Sequence, residues 1–110
     1  MAIIEVDEEN FYQTLESAFD KKKMVILKFG SEYCEPCHAL EMELEELDEE
    51  LENLSILLID IDESPELAQK YNIFSLPTMI IHDHSQTIIH QQEGIILAED
   101  IINIINSKEK

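Results

Sequence analysis

Two cysteines stand three residues apart in this chain, in the run Cys34-Glu35-Pro36-Cys37, and they are the two it has. In a reducing compartment such a pair reads as redox or metal chemistry, not as a structural staple. Exchange with a disulfide needs a thiolate, because the thiol is a poor nucleophile. A cysteine at a helix N-terminus meets unpaired N–H groups and the positive end of the helix dipole, and both favour the thiolate. Cys34, just ahead of Pro36, is the expected nucleophile. Cys37, one turn on, is expected to break the mixed disulfide. Pro36 suits a first helical turn, where its nitrogen owes no hydrogen bond. Glu35 should oppose ionisation of Cys34, weakly if it is exposed and screened. His38, four residues from Cys34, would favour the thiolate when protonated.

These residues need a scaffold, and the apolar pattern supplies one. Met24–Phe29 is a short apolar run that reads as a buried strand, broken by Gly30-Ser31-Glu32-Tyr33. The helix that follows carries Cys37, Leu40, Leu44, Leu47 and Leu51 at steps of three and four, giving one apolar face among acidic ones. Ahead of the strand, residues 7–19 read as a helix capped by Asp7, with Glu8 and Glu9 in its first turn and Phe11, Leu15 and Phe19 on one face. Lys21-Lys22-Lys23 should end it. Residues 55–61 read as a second buried strand. Ser64-Pro65 should then cap and open a helix to about Tyr71. Residues 78–82 and 87–90 read as strands joined by a polar turn at Asp83-His84-Ser85. Leu97, Ile101, Ile102 and Ile105 mark a last amphipathic helix. The expected fold is α/β, with a mixed parallel and antiparallel sheet flanked by helices.

The chain has 110 residues, which suits a single domain over 1–110. Its formal charge is −18, from 25 acidic and 7 basic residues, which argues against a nucleic acid partner and favours a basic or neutral protein client. No apolar run approaches the roughly 20 residues of a membrane helix. Met1-Ala2-Ile3-Ile4-Glu5 lacks the basic start and apolar stretch of a signal peptide, so a cytoplasmic location is expected. With two glycines, Gly30 and Gly94, a Gly-rich phosphate loop is excluded.

About forty residues after the dithiol comes Ser75-Leu76-Pro77-Thr78, a proline just before a strand. Phe29 through Cys37, Asp60 through Pro65, Lys70-Tyr71-Asn72-Ile73, Leu76-Pro77-Thr78 and Gly94 together resemble the thioredoxin family over nearly the whole chain. The resemblance implies a thioredoxin-like fold and a protein-disulfide reductase, likewise a monomer, whose electrons reside in the Cys34–Cys37 pair, with no cofactor and no metal. It implies a cis bond before Pro77, packed against the dithiol, and a Leu76 backbone that pairs with a bound client strand. It implies as partners a disulfide-containing client and a thioredoxin reductase or other dithiol donor.

The chain departs from the family pattern at several of these positions. Tyr33 stands for the usual tryptophan beside the nucleophile, and Glu35 for a glycine. Lys28 falls where the family has a buried aspartate serving the second cysteine, and Leu58 where that aspartate has a lysine partner. An unpaired buried lysine is costly, so Lys28 is expected either to reach water or to have a lowered pKa. Pointed at the dithiol, it would stabilise the Cys37 thiolate and make a weaker reductant.

Three other readings use the same residues. Cys34-x-x-Cys37-His38 matches the attachment motif of c-type haem, which needs export. Cys34, Cys37 and His38 could join His82, His84 or His90 around zinc, although no second ligand pair has the usual spacing. A thioredoxin-fold interaction module, or a carrier dedicated to one partner, would bind through the acidic surface with weak general turnover.

Overall fold

The computed structural model describes residues 3–108. Five strands form one sheet: β1 (Ile3–Val6), β2 (Met24–Gly30), β3 (Leu54–Asp60), β4 (Thr78–His82) and β5 (Ile88–Glu93). Their order is β1-β3-β2-β4-β5. β1, β3 and β2 run parallel, while β4 and β5 are antiparallel to their neighbours. Four helices flank the sheet: α1 (Phe11–Asp20), α2 (Glu35–Glu50), α3 (Pro65–Lys70) and α4 (Ala98–Lys108). None of the described helices is long and apolar enough to cross a membrane.

β2 lies at the centre, buried on both faces, and its alternation divides the core. Val25, Leu27 and Phe29 pack with Phe11 and Ala18 of α1 and Leu67 of α3. Ile26 packs on the opposite side with Leu40, Leu44 and Leu47 of α2 and Ile101 and Ile105 of α4. The expected leucine stripe therefore turns α2 onto the sheet. This fastens the helix that carries both cysteines.

Several boundaries move. β1 has no counterpart among the expected elements, because its residues enter the sequence reading only as a start unlike that of a signal peptide. It has four residues and one buried side chain, Val6, too short a stretch for period-two alternation to register. Met1 and Ala2 of that start lie outside the described residues. Asp7 does not cap α1 directly. Its Oδ1 accepts from the N–H groups of Glu9 at 2.9 Å and Asn10 at 3.1 Å, closing a turn that precedes the helix, with Glu8 and Glu9 inside it. Ser64 holds the N-cap position of α3, but its hydroxyl makes no cap bond. β2 continues through Gly30, which pairs with Asp60.

Candidate active site

The dithiol sits where β2 gives way to α2. Cys34 is the N-cap of α2 in an extended conformation, with Glu35 and Pro36 in the first turn. Its sulfur accepts the N–H of Cys37 at 3.2 Å, and its carbonyl accepts the N–H of His38 at 3.3 Å. The sulfur thus meets an otherwise unpaired donor of the helix end, an arrangement that favours a thiolate once the pair is reduced. Cys34 and Cys37 are joined as a disulfide, their Cα atoms 5.2 Å apart. Cys34 is half-buried and Cys37 fully buried. Cys34 is therefore the more accessible residue of the pair.

The loop before Cys34 is tied down. Ser31 Oγ donates to Asp62 Oδ2 at 2.9 Å and accepts the N–H of Tyr33 at 3.3 Å, and the N–H of Cys34 donates to the Ser31 carbonyl at 3.2 Å. Glu35, Pro36 and His38 point outward, so solvent screens the charge of Glu35. Tyr33 is 86% exposed.

Pro77 reaches the same end of the sheet from β4. Phe29 of β2 is registered against Thr78, so the loop holding Leu76 and Pro77 leaves the sheet beside the loop leading to Cys34. The Leu76–Pro77 bond is cis, as the resemblance implies. Thr78 Oγ1 donates to the Ser75 carbonyl at 2.7 Å, and the N–H of Gly94 donates to the Pro77 carbonyl at 2.9 Å. Gly94 has φ +85, a conformation that favours glycine. Phe74, in this loop, is 89% exposed. The sequence offered little to single it out, because a lone loop phenylalanine has no period.

Lys28 borders the space beside Gly30 that Cys37 also borders, and is 5% exposed. No partner for it is evident in the sequence; the structure provides one. Its Nζ lies 3.5 Å from Oε2 of Glu41 on α2. Burial lowers its pKa, opposed first by Glu41 and then by Asp60. Lys28 therefore keeps its head inside rather than reaching water. Leu58 faces it across the β2–β3 ladder and supplies no charge. Lys28, Gly30, His38, Glu41, Leu58 and Asp60 line part of a cleft of about 310 Å³.

The histidines do not converge. His82 pairs with Val25 at the start of β2, the end opposite the dithiol, and packs edge-on against Phe19 of α1 at 5.5 Å. His90 Nε2 faces Gln92 Oε1 at 2.9 Å in β5. Among the described residues no three His, Cys, Asp or Glu side chains are grouped to hold a metal ion.

Residues 2–107 match the family model described as Thioredoxin. The chain is 37% identical to thioredoxin of Bacillus subtilis (strain 168) over 107 residues, 96% of this chain and 97% of that one. It is 32% identical to thioredoxin of Chlamydia trachomatis serovar D over 104 residues, 94% and 96% of the two chains. Its fold superimposes on the crystal structure of chloroplastic thioredoxin z with a TM-score of 0.86 and 27% identity, covering 99% of this chain and 96% of that one. Neither the family match nor these relatives favour the interaction-module reading. With the dithiol at the head of α2 and near-complete agreement in length and fold, the chain belongs to the thioredoxin family and is a thiol–disulfide oxidoreductase.

Proposed function

We propose that this chain, acting as one domain over 1–110, reduces disulfides in client proteins by a two-cysteine cycle. The Cys34 thiolate attacks one client sulfur. A Cys34–client disulfide forms and the other client sulfur leaves as a thiolate. Cys37, as thiolate, then attacks Cys34 Sγ, closing the Cys34–Cys37 disulfide and releasing the second client sulfur. Two electrons pass to the client, and the two protons of the dithiol end on its sulfurs. A thioredoxin reductase or another dithiol donor restores the pair. The electrons travel in the thiols, so the cycle needs no cofactor and no metal.

The observation that carries this reading is the placement of Cys34 at the N-cap of α2, with the Cys37 N–H on its sulfur. The Leu76 backbone would pair with the client strand beside Pro77, with Tyr33 as an apolar contact. The charge of −18 suits a basic or neutral client and disfavours nucleic acid. Action as a monomer in the cytoplasm, off the membrane, fits the same cycle. Lys28 tunes the pair by stabilising Cys37 thiolate, Pro36 shapes the first helical turn, and Glu35 and His38 adjust Cys34 from the exposed side.

Reduction of insulin disulfides with dithiothreitol as donor tests the assignment. The wild-type chain should accelerate it well above the donor alone, and Cys34→Ser should return it to that background. Equal rates for the two proteins would overturn the cycle.

A further inference from the structure

β2 places Lys28 and Gly30 on the same face, toward α2. A Cβ added at Gly30 would lie 2.7 Å from Lys28 Nζ and 3.2 Å from Cys37 Cβ. The missing side chain is thus the space the lysine head occupies, and Cys37 borders that same space. The ammonium and the second cysteine lie within about one side chain's width of each other. Charged and titratable groups around them are His38 and Glu41 on α2, Asp60 of β3, Glu5 of β1, and Glu32 and Glu63 in the loops. Of these, Glu41 stands at ion-pair distance from Lys28. Its Oε2 also lies 3.3 Å from His38 Nδ1, while His38 Nε2 lies 2.8 Å from the Glu32 carbonyl oxygen. The carboxylate is therefore held between two side chains.

We propose that Glu41 serves the dithiol through Lys28: its carboxylate holds the lysine head as an ammonium beside Cys37 and so promotes the thiolate that closes the exchange. This rests on the disulfide-exchange cycle and adds a positioning residue to it. Two effects of Glu41 compete. Its own negative charge disfavours a second anion nearby. Through Lys28 it sustains a positive charge that borders the same space as Cys37 and is almost fully buried, where screening is weak. Burial penalises the ammonium, and without a counterion a buried lysine gives up its proton. Glu41 is 30% exposed, so its carboxylate keeps contact with water while it faces the lysine head. The indirect effect dominates, and deleting an acid beside the site makes the thiolate harder to form.

The decisive experiment isolates Cys37 in a Cys34→Ser background and follows thiolate ultraviolet absorbance against pH. Glu41→Gln, an isosteric change at a partly exposed side chain, is expected to raise the Cys37 midpoint and cut its thiolate fraction at neutral pH about tenfold. Lys28→Met should do the same. The double variant should go no further than Lys28→Met alone, because Glu41 acts through the lysine. Glu41→Asp, which restores the charge, should recover most of the loss. With both cysteines present, the mixed disulfide formed with a small disulfide should resolve about threefold more slowly in Glu41→Gln, since the more basic thiolate is also the better nucleophile. A lowered or unmoved Cys37 midpoint in Glu41→Gln, or additive effects in the double variant, would overturn the proposal. The titration reads Cys37 without turnover, so its failure is distinct from a wild-type chain that reduces no disulfide.

Discussion

The two faces of β2 obey different rules although they share one backbone. Toward α1 and α3 the strand offers Val25, Leu27 and Phe29, all at 0% exposure within an apolar cluster. Toward α2 and α4 it begins in the same way with Ile26. It then presents Lys28, paired to Glu41, and Gly30, whose missing side chain leaves room for the lysine head. The first face is built for burial. The second departs from apolar packing at the end of the strand that feeds Cys34. Local rules are broken where chemistry is positioned, and the neighbouring layers carry the cost.

The contrast predicts opposite responses to truncation. Phe29→Ala should cost about 3–5 kcal/mol through lost burial and a residual cavity, measured by chemical denaturation. Lys28→Met should instead raise stability by about 1 kcal/mol, because a desolvated charge is replaced by an apolar chain and Glu41 retains contact with water. A Lys28→Met variant destabilised as severely as Phe29→Ala would erase the distinction between the faces.

A second buried base sharpens it. His82 lies on the α1 face, with Nδ1 3.2 Å from the Val25 carbonyl oxygen, and burial lowers its pKa. The unfolded chain binds this proton more readily, near the ordinary histidine value of about 6.5. The contribution of His82 is therefore complete above that pH and is lost as pH falls through the lower folded value. Denaturation across mildly acidic pH should show a shallower acid loss in His82→Gln than in wild type. Identical slopes would remove His82 from the account. The smallest effect is expected at the surface. Phe74→Ala should change stability by less than about 0.5 kcal/mol, while raising KM for a protein disulfide a few-fold with kcat unchanged.

The sequence made the dithiol legible because its logic is local: a buried strand, a break, two cysteines and a leucine stripe. The sheet order, by contrast, depended on β1, whose four residues carry no usable period. Lys28 stands out because it falls where the thioredoxin family has a buried aspartate. Glu41 does not, because it is one acid among many on α2. Only the turn of that helix over the sheet distinguishes it from Glu43, whose Oε1 accepts the N–H of Ala98 at 2.9 Å, and from exposed Glu45. Phe74 was hidden for a similar reason, since its meaning comes from the register that sets Thr78 against Phe29.

The most direct test of the cycle is to stop it halfway. Cys37→Ser, reduced and mixed with a disulfide-containing protein, should accumulate a covalent adduct through Cys34, visible by intact-mass spectrometry and released by excess dithiol. Cys34→Ser should form little under the same conditions because Cys37 is buried. No adduct with Cys37→Ser, or an equal adduct with Cys34→Ser, would contradict the assignment of Cys34 as the attacking sulfur and Cys37 as the resolving one.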